Sequence, residues 1–276
     1  MKRALFPAAA ALAAVISIFL SPLPAFSKPD AEVSGDARPE ASATALSAPG
    51  MTVFDGSHKE IFSPVNRGEL DYSGFADRFA SAGSSVAVNL GEITPQALEG
   101  VSTYIIAGPT QELGPHEMAA LHSFVNRGGN LLVLLHISSP VARLTESFGI
   151  LVSNFVLAEQ EGNIEGQAQD FHVTRFTQHP VTEGLKKIAV YGTWGLMAEK
   201  KSVEVAATSD RAWADFNRDR KFDEGEPVAR FGIIAISGYG NGKVVVVADD
   251  APFSNRFIGV ADNGRLADNI VGWFNE

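Results

Sequence analysis

The chain has 276 residues, a formal net charge of −10 and no cysteine. Disulfides, thiolate metal ligands, thiol nucleophiles and a lipidated cysteine are therefore excluded. An acidic chain is a poor partner for nucleic acid or anionic membrane surfaces, and one of this length buries a core without covalent staples.

Met1-Lys2-Arg3 gives a basic start, Ala4 to Leu20 an apolar run, and Ala25-Phe26-Ser27 small residues at A-x-S spacing. Together they read as a secretory signal peptide over residues 1–27, which places the mature chain in the periplasm or outside the cell. The alternative is a retained membrane anchor, although the run is near the short limit for a span and contains Pro7. No later segment is long and apolar enough to cross a bilayer. Cleavage would remove Lys2 and Arg3 and take the charge from −10 to −12. Residues 28–50 (KPDAEVSGDARPEASATALSAPG) lack large apolar side chains and read as a flexible linker. The folded domain is expected over residues 51–276.

Met51 to Asp55 predicts a short strand and Leu70 to Ala82 a helix ending at Gly83. Ser85 to Leu90 and Val101 to Ala107 predict two more strands. Pro115 to Arg127 predicts an amphipathic helix, with Pro in the first turn and Gly128-Gly129 past its end. Leu131 to Leu135 is apolar throughout, as a strand in the middle of a parallel sheet is. Pro140 to Phe148 predicts another helix. Strands alternating with helices imply a doubly wound, mostly parallel α/β sheet. Beyond Gly149 the pieces become shorter and β-rich: Val152 to Leu157, Phe171 to Phe176, Ile188 to Trp194 and Val203 to Thr208. Ala229 to Ile236 and Lys243 to Ala248 predict a closing hairpin, and Asn263 to Phe274 a final helix.

Five segments resemble the GIFT domain: Asp55 to Pro64, Leu90 to Val101, Ile105 to Pro109, Phe124 to Leu135 and Ser147 to Asn154. That domain is shared by the gliding-motality ABC-transporter accessory protein GldG, an intraflagellar-transport subunit and an oligosaccharyltransferase subunit. Gly242 to Asn255 resembles the closing strand and loop of bacterial relatives. The resemblance implies a flavodoxin-like, class I glutamine amidotransferase-like fold and a non-enzymatic role, with glycan binding proposed for the family. GldG-like proteins sit in a membrane complex, whereas this chain has only an N-terminal apolar segment, so a transporter role does not carry over.

In amidotransferases the nucleophile follows the strand that corresponds here to Leu131 to Leu135. His136-Ile137-Ser138 stands at that elbow, with no cysteine and no G-x-S-x-G. Ser138 with His58 or His136 and Asp55 has the residue types of a nucleophilic triad, but no spacing supports it. The loops at the carboxyl ends of the strands still form the expected ligand crevice, at the switch point between the first and third strands. Asp55, Ser57, His58 and Glu60 are expected on one wall, Gly108 on the other, and His136 and Ser138 beside them. Turn and capping residues, or a protein-docking surface, are the alternatives. His116 and His122 read as residues of their helix and His179 as structural. Trp194, Trp213 and Trp273 read as core.

Residues 215–226 (DFNRDRKFDEGE) place Asp215, Asn217, Asp219, Asp223 and Glu226 at positions one, three, five, nine and twelve of an EF-hand loop, with the Lys221 carbonyl at seven. The pattern predicts calcium in a loop between strands. Arg220 stands where such loops carry Gly, and the alternative is a solvated acidic hairpin. The functional expectation is an exported, non-catalytic binding or assembly module for a glycan or an envelope protein. A hydrolase or transferase using the crevice without cysteine, and a structural subunit of an envelope assembly, are the alternatives.

Overall fold

A computed structural model describes residues 50–276 of the protein. The expected signal peptide (residues 1–27) and residues 28–49 of the expected linker lie outside the described residues. In chain order the elements are β1 (Met51–Asp55), α1 (Ser73–Ser81), β2 (Ser85–Asn89), β3 (Val101–Ala107), α2 (Pro115–Asn126), β4 (Asn130–Leu134), α3 (Ala142–Ser147) and β5 (Ile150–Ala158). There follow β6 (Asn163–Ile164), β7 (Gln167–Val173), β8 (Arg175–Phe176), β9 (Ile188–Tyr191), β10 (Trp194–Ala198), β11 (Val203–Ala207), β12 (Trp213–Asp215), β13 (Gly232–Tyr239), β14 (Gly242–Val247) and α4 (Asn263–Phe274).

One 11-stranded sheet carries the fold, in the order β12-β5-β10-β13-β14-β4-β3-β1-β2, with β11 on β13 and β8 on β11. From β2 to β14 every ladder is parallel. From β14 onward every ladder is antiparallel. β14 is the seam, because its pairing with β4 is parallel and its hairpin with β13 antiparallel. The strand-rich C-terminal half therefore extends the doubly wound sheet and does not form a separate one, apart from the small sheet β6-β7-β9.

Alternating residues of the central strands feed two cores, as the two-residue period of a strand requires. Phe54, Ile105, Leu132 and Val245 pack with Phe75 and Phe79 of α1 and Leu266, Ile270 and Phe274 of α4. Phe171, Val173, Ile188 and Val190 of the small sheet close the same face. Val53, Ile106, Leu131, Val133 and Val246 pack on the other face against Leu121, Phe124 and Val125 of α2 and Leu144 of α3.

Several boundaries move for local reasons. α1 begins at Ser73 and not at Leu70, because Asp71 is committed to the preceding loop, accepting from Ser63 N–H (2.8 Å) and Gly68 N–H (3.1 Å). The expected helix from Pro140 divides into a 3₁₀ turn, Ser139–Val141, and α3. The run Ile188 to Trp194 is two strands in two sheets, since Gly192 at φ +71° turns the chain out of the small sheet and into the large one. Trp213 is buried, whereas Trp194 and Trp273 are partly buried.

Candidate functional site

β1 lies between β2 and β3, so the strand order reverses there and the carboxyl ends of β1 and β3 open the crevice of a doubly wound sheet. The segment after β1 folds back at once. Gly56 N–H bonds the Asn89 carbonyl (2.9 Å), and the His58 carbonyl accepts from Thr110 and Gln111 N–H in the loop after β3 (3.1 and 3.0 Å). Lys59, at φ +57°, completes the turn. This places Asp55, Ser57, His58 and Glu60 together, as the sequence predicts for one wall.

Asp55 and His58 are buried. His58 Nδ1 donates to Asp55 Oδ2 (2.6 Å) and Nε2 donates to Glu117 Oε2 (3.1 Å). Glu117 is the third residue of α2 and accepts Gly114 N–H (2.7 Å) and Ile93 N–H (3.0 Å). Asp55 Oδ1 accepts from Ser57 Oγ (2.9 Å) and Tyr104 OH (3.0 Å). Burial alone would lower the His58 pKa, but hydrogen bonds and charge from Asp55 and then Glu117 raise it to about 9. Burial likewise pushes Asp55 up, yet bonds to His58 and Glu60 and the His58 charge leave it below its usual range. Burial and the adjacent Asp55 carboxylate raise Glu60 to about 8. Near neutral pH the cluster therefore holds an imidazolium between two carboxylates, with a protonated Glu60 beside Asp55. Glu60 Oε2 accepts the His58 backbone N–H (3.0 Å), while Oε1 is buried with no hydrogen-bond partner among the described residues.

Asp55, His58 and Glu60 place one ligand atom each within 4.8 Å of one another, the separation a metal ion needs. A cation there would compete with the proton on His58 Nδ1 and the proton shared with Glu60.

Gly108 and His136 fall in a neighbouring cluster at the ends of β3, β4 and β14. His136 Nδ1 lies 3.2 Å from Asp250 Oδ2, which also accepts from Tyr72 OH (2.6 Å). The Asp250 hydrogen bond raises the His136 pKa against the effect of burial. Asp249, behind Asp250, accepts Tyr191 N–H (2.6 Å) and Ala251 N–H (3.0 Å); burial and the Asp250 charge push its carboxyl well above the usual range. Phe62 packs edge-on against both His136 and Tyr72. Gly108 has φ +66°, and a Cβ there would lie 2.8 Å from Asp250 Oδ2 and 3.1 Å from His136 Cβ, so close approach requires glycine. Ser138 is buried and makes no hydrogen bond to His58 or His136 among the described residues. The structure thus divides the expected crevice between two Asp–His pairs and leaves Ser138 in neither.

Glu117, Tyr104, Tyr72, Asp249 and Asp250 were not singled out by sequence. Pro115 to Glu117 carries a capping signal, and Asp249-Asp250 directly follows an apolar strand, but neither signal names a partner. His116 is exposed on its helix, His122 stacks on Phe148 (4.4 Å), and His179 accepts Val181 N–H.

At the far edge of the sheet, residues 215–226 link β12 to a bridge between Trp213 and Val228. Arg220 adopts φ +64°, the conformation its loop position demands of glycine. Asn217 Oδ1 accepts Asp219 N–H (3.0 Å), Asp219 Oδ1 accepts Lys221 N–H (2.8 Å), and Glu226 accepts Phe216 and Asp223 N–H (3.0 Å each).

Among solved structures the chain is similar to the mmIFT52 N-terminal domain, at 19% identity and TM-score 0.67, covering 82% of this chain and 98% of that one. A cytoplasmic protein of Salmonella typhimurium LT2 matches at 13% identity and TM-score 0.53, covering 82% and 100%. A ThuA-like protein of Bacteroides uniformis matches at 14% identity and TM-score 0.50, covering 85% and 95%. These likenesses show the fold, a mixed α/β architecture, and are consistent with the GIFT-like fold that the sequence resemblance implies. No curated protein sequence matches. Among the described residues no helix is long and apolar enough to cross a membrane. Residues 64–271 match the family described as "Domain of unknown function (DUF4350)", and the chain belongs to that family.

Proposed function

We propose that the protein is an exported, non-catalytic module that binds a glycan or a protein partner in the cell envelope through the carboxyl-end rim of its parallel strands. The observation that carries this reading is the clamp on His58. Both ring nitrogens are held by carboxylates, and a pKa of about 9 keeps the ring charged near neutrality. A general base needs a free ring nitrogen aimed at its nucleophile. Ser57 Oγ is 3.1 Å from His58, but from Nδ1, the nitrogen Asp55 already occupies.

The surface around the clamp favours docking. Ile61, Val65 and Leu70 after β1, Leu90 after β2 and Ile137 after β4 are all exposed large apolar side chains on loops at that end of the sheet. Exposed apolar side chains gathered at one end of a fold mark an interaction surface. The family's proposed glycan binding and assembly roles fit such a rim.

The alternative, a hydrolase or transferase, is favoured by one observation. His136 has Nδ1 held by Asp250, Nε2 without a hydrogen-bond partner among the described residues, and a side chain 37% exposed. The experiment is a screen of the purified chain against glutamine, esters and glycosides, paired with glycan arrays and capture of envelope proteins. The expected result is no turnover, with a captured ligand released by Val65→Asp plus Leu90→Asp in a folded variant. Turnover that disappears on His136→Ala or Ser138→Ala overturns the binding reading.

A further inference from the structure

We propose that the loop from Asp215 to Glu226 binds a calcium ion, with Asp215 as its buried anchor. The inference is independent of the rim and of any role for the crevice. The sequence supplies oxygen donors at alternate positions of a tight loop, as a hard cation that takes six to eight oxygens requires. Asp215 itself carries the argument. Its side chain is completely buried, and Oδ2 accepts from Gln169 Nε2 (2.8 Å) and Arg220 N–H (3.1 Å), while Oδ1 has no partner. The bond to Arg220 N–H turns this carboxylate towards the inside of the loop. A buried carboxylate oxygen left without a donor costs free energy that a cation in the loop removes.

The loop is anchored from below and open above. Phe216 packs on Phe155 and Phe222 on Trp213, while the polar side chains of Asn217, Asp219 and Asp223 are exposed. Five acids outnumber the three bases Arg218, Arg220 and Lys221. Arg220 faces a neighbouring cavity with Asp170, whose carboxyl burial holds above its usual range while the Arg220 charge acts against the shift. Among the described residues only Asp55, His58 and Glu60 already bring three acidic or imidazole ligand atoms within 4.8 Å. The loop reaches its full set by small movements of its own side chains. Asn217 Nδ2 releases Asp223 Oδ2, which it now holds at 2.7 Å, and Asp219, Asp223 and Glu226 close on the ion with the Lys221 carbonyl.

Trp213, two residues before Asp215, makes the site readable with terbium, which replaces calcium and emits when a nearby indole is excited. The purified full chain is titrated with terbium, then with calcium, and its melting is followed in millimolar calcium against chelator. The expected results are indole-sensitised emission, displacement by calcium, and a melting temperature that rises with calcium. Glu226→Gln keeps the shape of a half-buried side chain and is expected to weaken binding at least about tenfold, because affinity in such loops follows ligand charge. Asp215→Asn should do the same, and Glu226→Gln keeps the test interpretable if the buried variant misfolds. Coincident melting curves with no sensitised emission overturn the proposal. So does wild-type affinity in Glu226→Gln, including the case where emission is lost only in Glu60→Gln, which would put the ion in the crevice.

Discussion

Asp55–His58 and Asp250–His136 are two acid–imidazole pairs at neighbouring strand ends, each with a tyrosine hydroxyl on its carboxylate. They differ in what meets the second ring nitrogen. For His58 it is Glu117, delivered by the first turn of α2, and the ring is 2% exposed. For His136 no described residue does so, and the side chain is 37% exposed. The same pair is thus a closed structural charge in one place and an accessible polar group in the other. The decision is made by an element from elsewhere in the chain, not by the pair.

The comparison breaks most visibly on removing each imidazole. His58→Ala leaves Asp55 and Glu117 facing each other across a buried gap with no cation between them. Removing one partner of a buried ion pair costs about 3–5 kcal/mol. His136→Ala leaves the buried Asp250 with its Tyr72 hydrogen bond and removes an imidazole that is already partly in water, so it is expected to cost clearly less than His58→Ala. Urea unfolding of the two variants measures the difference, and equal losses would refute the distinction between clamp and surface pair.

Titration sharpens the same contrast. His58 moves from 6.5 to about 9 on folding and Glu60 from 4.5 to about 8. In both cases the folded state holds the proton over a range where the unfolded chain has lost it. The His58 contribution is complete below pH 6.5 and disappears as pH rises through 9, while that of Glu60 begins to fall above 4.5 and is gone past 8. The two windows overlap between 6.5 and 8, where stability should fall most steeply with rising pH. Asp55 and Glu117 act the other way, their lowered values giving stability that is lost only in acid. Melting temperature followed from pH 5 to pH 9 is expected to decline, and Glu60→Gln to flatten the part below pH 8. A profile that stays level across this range would show that His58 is not held as an imidazolium.

Much of this architecture is legible because it rests on local pattern. The two-residue alternation and apolar runs of β1, β3, β4 and β14 and the apolar stripe of Asn263–Phe274 each specify their own element. The crevice is legible only on one side. Asp55, Ser57, His58 and Glu60 are neighbours in sequence, so the turn after β1 was bound to gather them. Glu117 reaches His58 across 59 residues and Asp250 reaches His136 across 114. Those meetings depend on strand order, on β14 returning to the centre of the sheet, and no local signal encodes that. Likewise Ile188 to Trp194 reads as one piece in the sequence, whereas the positive φ of Gly192 moves the chain between two sheets. In the loop of residues 215–226 the ligand spacing is sequence-local, whereas the burial of Asp215 depends on Gln169 from the distant β7.

The smallest expected effect isolates His136. Its pKa is raised chiefly by the hydrogen bond to Asp250, while burial acts against it. His122 and His179, which have no carboxylate hydrogen-bond partner among the described residues, are lowered by burial. Imidazole resonances followed by NMR should therefore separate by site, with His136 titrating above 6.5 and His122 and His179 below. Asp250→Asn keeps the shape of the partner and removes its charge, so the His136 midpoint should move down towards its ordinary value while His122 and His179 do not respond. Because a raised value means a proton held by the folded state, the stability gained from this pair is present below pH 6.5 and lost as pH rises through the His136 midpoint. With the ring this exposed, that contribution is screened by solvent and the melting curve should barely register it. If Asp250→Asn leaves the His136 midpoint where it was, the Asp250 bond is not what raises it, and His136 loses its claim to be the accessible member of the two pairs.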